Sequence, residues 1–60
     1  MKSRELMRIL KENGWVLDRI EGSHHIFVKD GHRSVPVPVH KGREITKDMV
    51  RRILKEAGIS

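Results

Sequence analysis

Four histidines stand out, because histidine is the side chain whose ordinary pKa, about 6.5, lets it both take and give a proton near neutral pH. They lie at positions 24, 25, 32 and 40 of a 60-residue chain, outside the segments with helical periodicity. His24 and His25 are consecutive, so on a strand they point to opposite faces, and we expect one of them to meet solvent. The alternative to a catalytic role is a strand histidine that only hydrogen-bonds to its neighbours.

Metal chemistry is a weaker interpretation of the same histidines. Zinc ligands usually occur at tight-turn or helical spacing and often include cysteine. The chain has no cysteine, and its histidines do not follow such a spacing. We therefore expect no metal site and no cofactor, and the absence of cysteine also excludes disulfides and thiolate chemistry.

The charge distribution favours a polyanionic partner. Thirteen Lys and Arg against eight Asp and Glu give a net charge of +5, and the pI is about 10.3. The excess lies at the two ends, since residues 15–40 carry three charges of each sign. Lys41 and Arg43 form a short basic loop where phosphate binding would be natural. The alternative is that the excess charge at the two ends only keeps helix faces solvated, and that Lys41 and Arg43 are likewise only solvated.

The apolar pattern predicts two helices around three strands. A helix over about residues 3–13 would be capped by Ser3 and ended by Gly14, and a second would be capped by Thr46 and ended by Gly58. Between them the period shortens to two and the composition becomes β-branched. We predict strands over 15–21, 24–29 and 32–37.

This α-β-β-β-α order predicts an α+β fold, a single domain over residues 1–60, with a three-stranded antiparallel sheet and both helices on one face. It is the topology of double-stranded RNA-binding domains. Trp15 and Phe27 are the only aromatic residues, and we expect both in the core. His25 shares a face with Phe27 and His24 with Ile26, but alternation alone leaves open which face the helices cover.

Membrane insertion is not expected. The longest apolar runs are a few residues, far below the roughly 20 that a spanning helix needs, and no signal-peptide core follows the first residues. We expect a cytoplasmic protein.

Three stretches of the sequence resemble the HicA toxin family. They are Gly22-Ser23-His24-His25-Ile26-Phe27, Val37-Pro38-Val39-His40 and the closing Ile53-Leu54-Lys55-Glu56-Ala57-Gly58-Ile59-Ser60. Together with a first helix that ends at Asn13-Gly14-Trp15, the similarity spans nearly the whole chain. The resemblance implies a compact ribonuclease that cleaves mRNA without a metal and is held inactive by a HicB-type antitoxin.

The resemblance also implies site residues. The catalytic histidine of the family's glycine-serine-histidine turn corresponds to His24, and His25 is a second candidate because some members have their only histidine one position later. His40 is a possible second acid/base group, and Lys41 and Arg43 are the expected RNA-binding residues. Such groups suit RNA cleavage, which needs a base for the 2′-hydroxyl proton, an acid for the leaving oxygen and cations for the phosphorane charge.

Two other functions remain open from the sequence. A non-catalytic RNA-binding module would use the same basic surfaces without needing any histidine. A subunit that only binds protein would show no salt-dependent RNA binding. For the toxin, we expect the antitoxin to cover the surface around His24.

Overall fold

The computed structural model describes residues 1–59 and confirms the predicted α-β-β-β-α order. The elements are α1 (Ser3–Glu12), β1 (Val16–Glu21), β2 (His24–Val28), β3 (Val35–Pro38) and α2 (Lys47–Glu56). The strands form one antiparallel sheet in the order β1-β2-β3.

The predicted helix ends are mostly confirmed. Thr46 caps α2, since its Oγ1 accepts a hydrogen bond from the backbone N–H of Met49 at 3.3 Å. Gly14 and Gly58 follow the helices with φ of 89° and 73°, a left-handed conformation that favours glycine. The Ser3 cap is wrong, because Lys2 is the N-cap and its carbonyl accepts from the N–H groups of Glu5 and Leu6.

The third strand differs from its predicted range. It runs over Val35–Pro38 rather than 32–37, because the register pairs Val35 with Phe27 and leaves the preceding residues in a loop. In that loop a turn is closed by the His32 N–H bonding to the Lys29 carbonyl at 3.0 Å, and the His32 ring lies 5.5 Å from the Trp15 ring. The third strand therefore begins three residues later than the Asp30-Gly31 turn signal suggests.

One face of the sheet carries the core. Phe27, Val35 and Val37 are fully buried and cluster with residues of both helices and with Trp15, as expected for the two aromatic residues. The remaining buried members of the cluster are Leu6, Leu10, Ile53 and Ala57. Both helices thus cover the face of the sheet that carries Phe27. Neither helix covers the opposite face, which we call the open face.

Membrane-spanning helices are absent from residues 1–59. Helices α1 and α2 have ten residues each, about half of what a bilayer requires.

Candidate functional site

His24 lies on the open face of the sheet at the start of β2, and its side chain is exposed. The register pairs it with Glu21 on β1 and with Pro38 on β3, and residues paired directly across antiparallel strands share a face. A two-residue turn, Gly22-Ser23, separates Glu21 from His24, with Gly22 at a φ of 59°. The imidazole of His24 is therefore accessible to a large substrate.

His25 points to the other face, beside the core. It pairs with Ile20 and Val37, and Val37 is fully buried under the helices. The His25 side chain is half-buried, and its Nδ1 is buried without a hydrogen-bond partner among the described residues. The two neighbouring histidines therefore have different surroundings. His24 is exposed on the open face, and His25 packs beside the core.

A backbone hydrogen bond ties the His24 turn to the segment after β3. The N–H of Val39 donates to the carbonyl of Ser23 at 2.7 Å. Because Val39 also follows the His24–Pro38 pair, this bond continues the strand pairing by one step and brings His40 to the same end of the sheet. Residues separated by 16 positions in the sequence therefore lie at one edge of the molecule.

At that edge lies a small pocket, which we name the His40 pocket. Its volume is about 240 Å³. It is lined by Pro38, His40, Arg43, Glu44, Ile45, Thr46 and Met49. The N–H of Arg43 donates to the carbonyl of His40 at 3.0 Å and closes the intervening turn. A guanidinium, an imidazole and the first turn of α2 together make a surface that favours an anion, because a helix N-terminus carries partial positive charge.

One carboxylate also lines the His40 pocket. Glu44 Oε2 accepts a hydrogen bond from the amino group of Met1 at 2.8 Å, and this contact lowers the pKa of Glu44 below its usual value. The charge of Glu44 is thus paired with the amino group, which reduces its repulsion of an anion.

The predicted site residues fall into three groups. His24, His40 and Arg43 lie at one end of the sheet, through the register and the Ser23–Val39 hydrogen bond. Lys41 is exposed in the adjoining turn and does not line the pocket. His25 lies on the other face.

Glu21 is a neighbour of His24 that the sequence reasoning missed. It lies directly across from His24 on the same face, and its carboxylate accepts a hydrogen bond from Arg19 Nε. The signal was present in the sequence, since a two-residue turn necessarily places its flanking residues opposite each other.

Within residues 1–59 no three His, Cys, Asp or Glu side chains come together in a way that would hold a metal ion. The side chains at this end of the sheet are of types suited to proton transfer and to contacts with phosphate. His24 lies at the same end of the sheet as His40 and Arg43. Imidazole and guanidinium are group types that serve general acid/base chemistry on a phosphodiester.

Comparisons with known proteins identify the family of the chain. The family model described as the HicA toxin of bacterial toxin-antitoxin systems matches residues 3–59. A chain of a toxin–antitoxin complex from Streptococcus pneumoniae superposes with a TM-score of 0.88 at 32% sequence identity, and the match covers 98% of each chain. A search of curated proteins found no match. Since the family model covers nearly the whole chain and the fold matches that of a toxin–antitoxin complex chain, this protein belongs to the HicA toxin family.

Proposed function

We propose that this protein is a ribonuclease toxin that cleaves mRNA by metal-independent acid/base catalysis, with His24 as the main proton-transfer group. The observation that carries the proposal is the exposed position of His24 on the open face. His24 pairs across the strands with Pro38, and Pro38 also lines the pocket that contains His40 and Arg43. An accessible imidazole at the same end of the sheet as a second imidazole and an arginine supplies group types that metal-independent cleavage of a phosphodiester can use.

The proposed reaction uses the RNA's own nucleophile. The 2′-oxygen attacks the adjacent phosphorus, and a histidine takes the hydroxyl proton. The bond from phosphorus to the 5′-oxygen then breaks, and an acid gives that oxygen a proton. In this proposal Arg43 offsets the negative charge on the phosphoryl oxygens in the transition state, and Lys41 contributes attraction for the RNA backbone.

His24 and His40 divide these proton transfers in the proposal. Both lie at the same end of the sheet, whereas His25 faces the core side. His40 is therefore the better second acid/base candidate. His25 has a packing role in this proposal.

The proposed partner is a HicB-type antitoxin. The structural match comes from a toxin–antitoxin complex, and the net charge of +5 favours an acidic partner. We expect the antitoxin to restrict access to the open face around His24.

The experiment is incubation of the purified protein with structured and unstructured RNA in EDTA, with His24→Ala as the test variant. Loss of a general acid or base typically lowers the rate by about 10²–10⁴-fold. Because His24 is exposed, His24→Ala should unfold at the same temperature as the wild type. His25→Ala is the matched control, and it should retain cleavage at a reduced rate with a similar pH dependence.

The outcomes separate the functions. Cleavage in EDTA that disappears with His24→Ala supports the proposal, whereas a folded and fully active His24→Ala protein refutes the assignment. Intact RNA with salt-dependent binding by the wild-type protein indicates a non-catalytic RNA-binding module instead.

A further inference from the structure

A second concave surface lies along α2, and we name it the α2 groove. Its volume is about 790 Å³. It is lined by Met1, Lys47, Val50, Arg51, Leu54, Lys55 and Ile59. Val50, Leu54 and Ile59 pack against the core from outside and are half-buried, so their outer surfaces form an aliphatic floor. The α2 groove shares no lining residue with the His40 pocket.

The walls of the α2 groove are cationic. Lys47, Arg51 and Lys55 are exposed and follow one another at intervals of four residues, which places them in a row along α2 with a rise of about 6 Å per step. Ion pairs within residues 1–59 join Met1 to Glu44 and Arg19 to Asp18 and Glu21. The three cations thus have no carboxylate partner in the part of the chain described.

An aliphatic floor with a cationic wall fits a protein better than a nucleic acid. Phosphates would satisfy the cations but would bury no apolar surface, and the base stacking that single-stranded nucleic acids use needs aromatic side chains. The described aromatic side chains, Trp15 and Phe27, are buried in the core and not in the groove. A complementary occupant therefore needs both apolar and acidic groups.

A second copy of this chain is a poor occupant. The exposed face of α1 carries Arg4, Arg8 and Lys11, again at helical spacing, so it would place like charges against the α2 cations. With a net charge of +5, two copies also repel each other in general.

We propose that the α2 groove is a docking site for an acidic amphipathic helix of a partner protein. Carboxylates four residues apart on such a helix repeat at the same rise of about 6 Å as the cations on α2, so one row can pair with the other in sequence. The apolar stripe of the same helix would cover Val50 and Leu54. Docking of this kind uses apolar anchors for affinity and charge for orientation.

The described lining of the α2 groove contains no residue of the sheet, so a helix docked there leaves the open face to other parts of the same partner, as the expected covering of His24 requires. A partner held at the α2 groove is anchored next to the first turn of α2, which also borders the His40 pocket, without occupying that pocket itself. That the antitoxin is the protein carrying this helix rests on the proposed function; the docking site itself does not.

The test uses a fluorescein-labelled peptide of about 15 residues, long enough to span α2 with a turn to spare. It carries leucines at i, i+3, i+4 and i+7 and flanking glutamates every four residues. A hydrocarbon staple on its outer face keeps it helical, because free helices of this length are marginal in water. Binding to the full-length protein is measured by fluorescence anisotropy, with a lysine-for-glutamate peptide as the charge control.

The variants locate the charge effect. Lys47→Glu, Arg51→Glu and Lys55→Glu together should weaken binding of the acidic peptide by about tenfold or more and should make the lysine peptide the better ligand. Arg4→Glu, Arg8→Glu and Lys11→Glu together change the net charge equally but leave the groove intact, so this matched control should keep the wild-type preference. If circular dichroism shows that the glutamate variant is unfolded, the triple glutamine variant replaces it in the test (Lys47→Gln, Arg51→Gln and Lys55→Gln).

Several results would overturn the docking site. The first is equal binding of the acidic and the lysine peptide, and the second is an equal loss of binding in the α1 control variant. The third is displacement of the peptide by an RNA duplex or by anionic vesicles, if their own binding requires the α2 cations. The same measurement on the His24→Ala protein separates this inference from the proposed function. Peptide binding there does not depend on whether the chain cleaves RNA.

Discussion

Replacing His25 with leucine should stabilise the domain, although histidine at this position belongs to the motif that suggests catalysis. His25 lies on the helix-covered face of β2, opposite Val37, and its Nδ1 is buried without a partner in residues 1–59. A buried polar atom that makes no hydrogen bond loses its interactions with water and gains nothing in return. Leucine has a similar volume and no polar atom, so His25→Leu removes this cost.

The size of the effect follows from the partial burial of His25. Leaving a buried polar group unsatisfied costs about 1–3 kcal/mol. Because the side chain is only half-buried, the lower end of this range applies, and we expect the free energy of unfolding to rise by about 1 kcal/mol. For a domain of this size that corresponds to an increase in Tm of about 4–8 °C.

The measurement is thermal and urea unfolding followed by circular dichroism, with His24→Leu as the matched control. His24 is the adjacent histidine on the same strand but lies exposed on the open face, so His24→Leu should change stability by no more than about 0.5 kcal/mol. RNA cleavage by His25→Leu should persist with a similar pH dependence.

A lower Tm for His25→Leu than for the wild type would refute the reasoning, since it would show that the imidazole makes a net favourable interaction. Loss of cleavage in a His25→Leu protein that is more stable than the wild type would contradict the division of roles between His24 and His25.

The remaining predictions concern the cap of α2 and the basic loop. Thr46→Ala removes the hydroxyl that accepts the Met49 N–H, so it should lower the free energy of unfolding by about 1 kcal/mol in a urea titration, whereas Thr46→Ser should keep most of it. Lys41→Gln with Arg43→Gln should weaken RNA binding and flatten the dependence of log affinity on log salt, with stability unchanged within about 0.5 kcal/mol because Lys41 and Arg43 are exposed. An unchanged salt slope in a filter-binding assay would instead move the RNA-binding surface to α1.

The order and type of the elements were predictable from the sequence, because they depend on local signals. Gly14 and Gly58 end the helices through a backbone conformation that other residues avoid, and Thr46 begins α2 through a short-range hydrogen bond. The HicA resemblance was equally accessible, since its motifs are short and continuous. The predicted Ser3 cap was wrong because Lys2 has an extended backbone conformation and forms an isolated antiparallel β-bridge with Glu44, which is 42 positions away in the sequence.

Alternation along β2 determined that His24 and His25 point to opposite faces, but only the tertiary structure decided which face is covered. Both faces carry apolar residues, since Ile26 on the open face is itself only 6% exposed. The decision comes from the pairing with β3, which places Val35 beside Phe27 and Val37 beside His25 under the two helices. A strand's own period of two cannot contain that information, because register and helix packing are set by residues distant in the sequence.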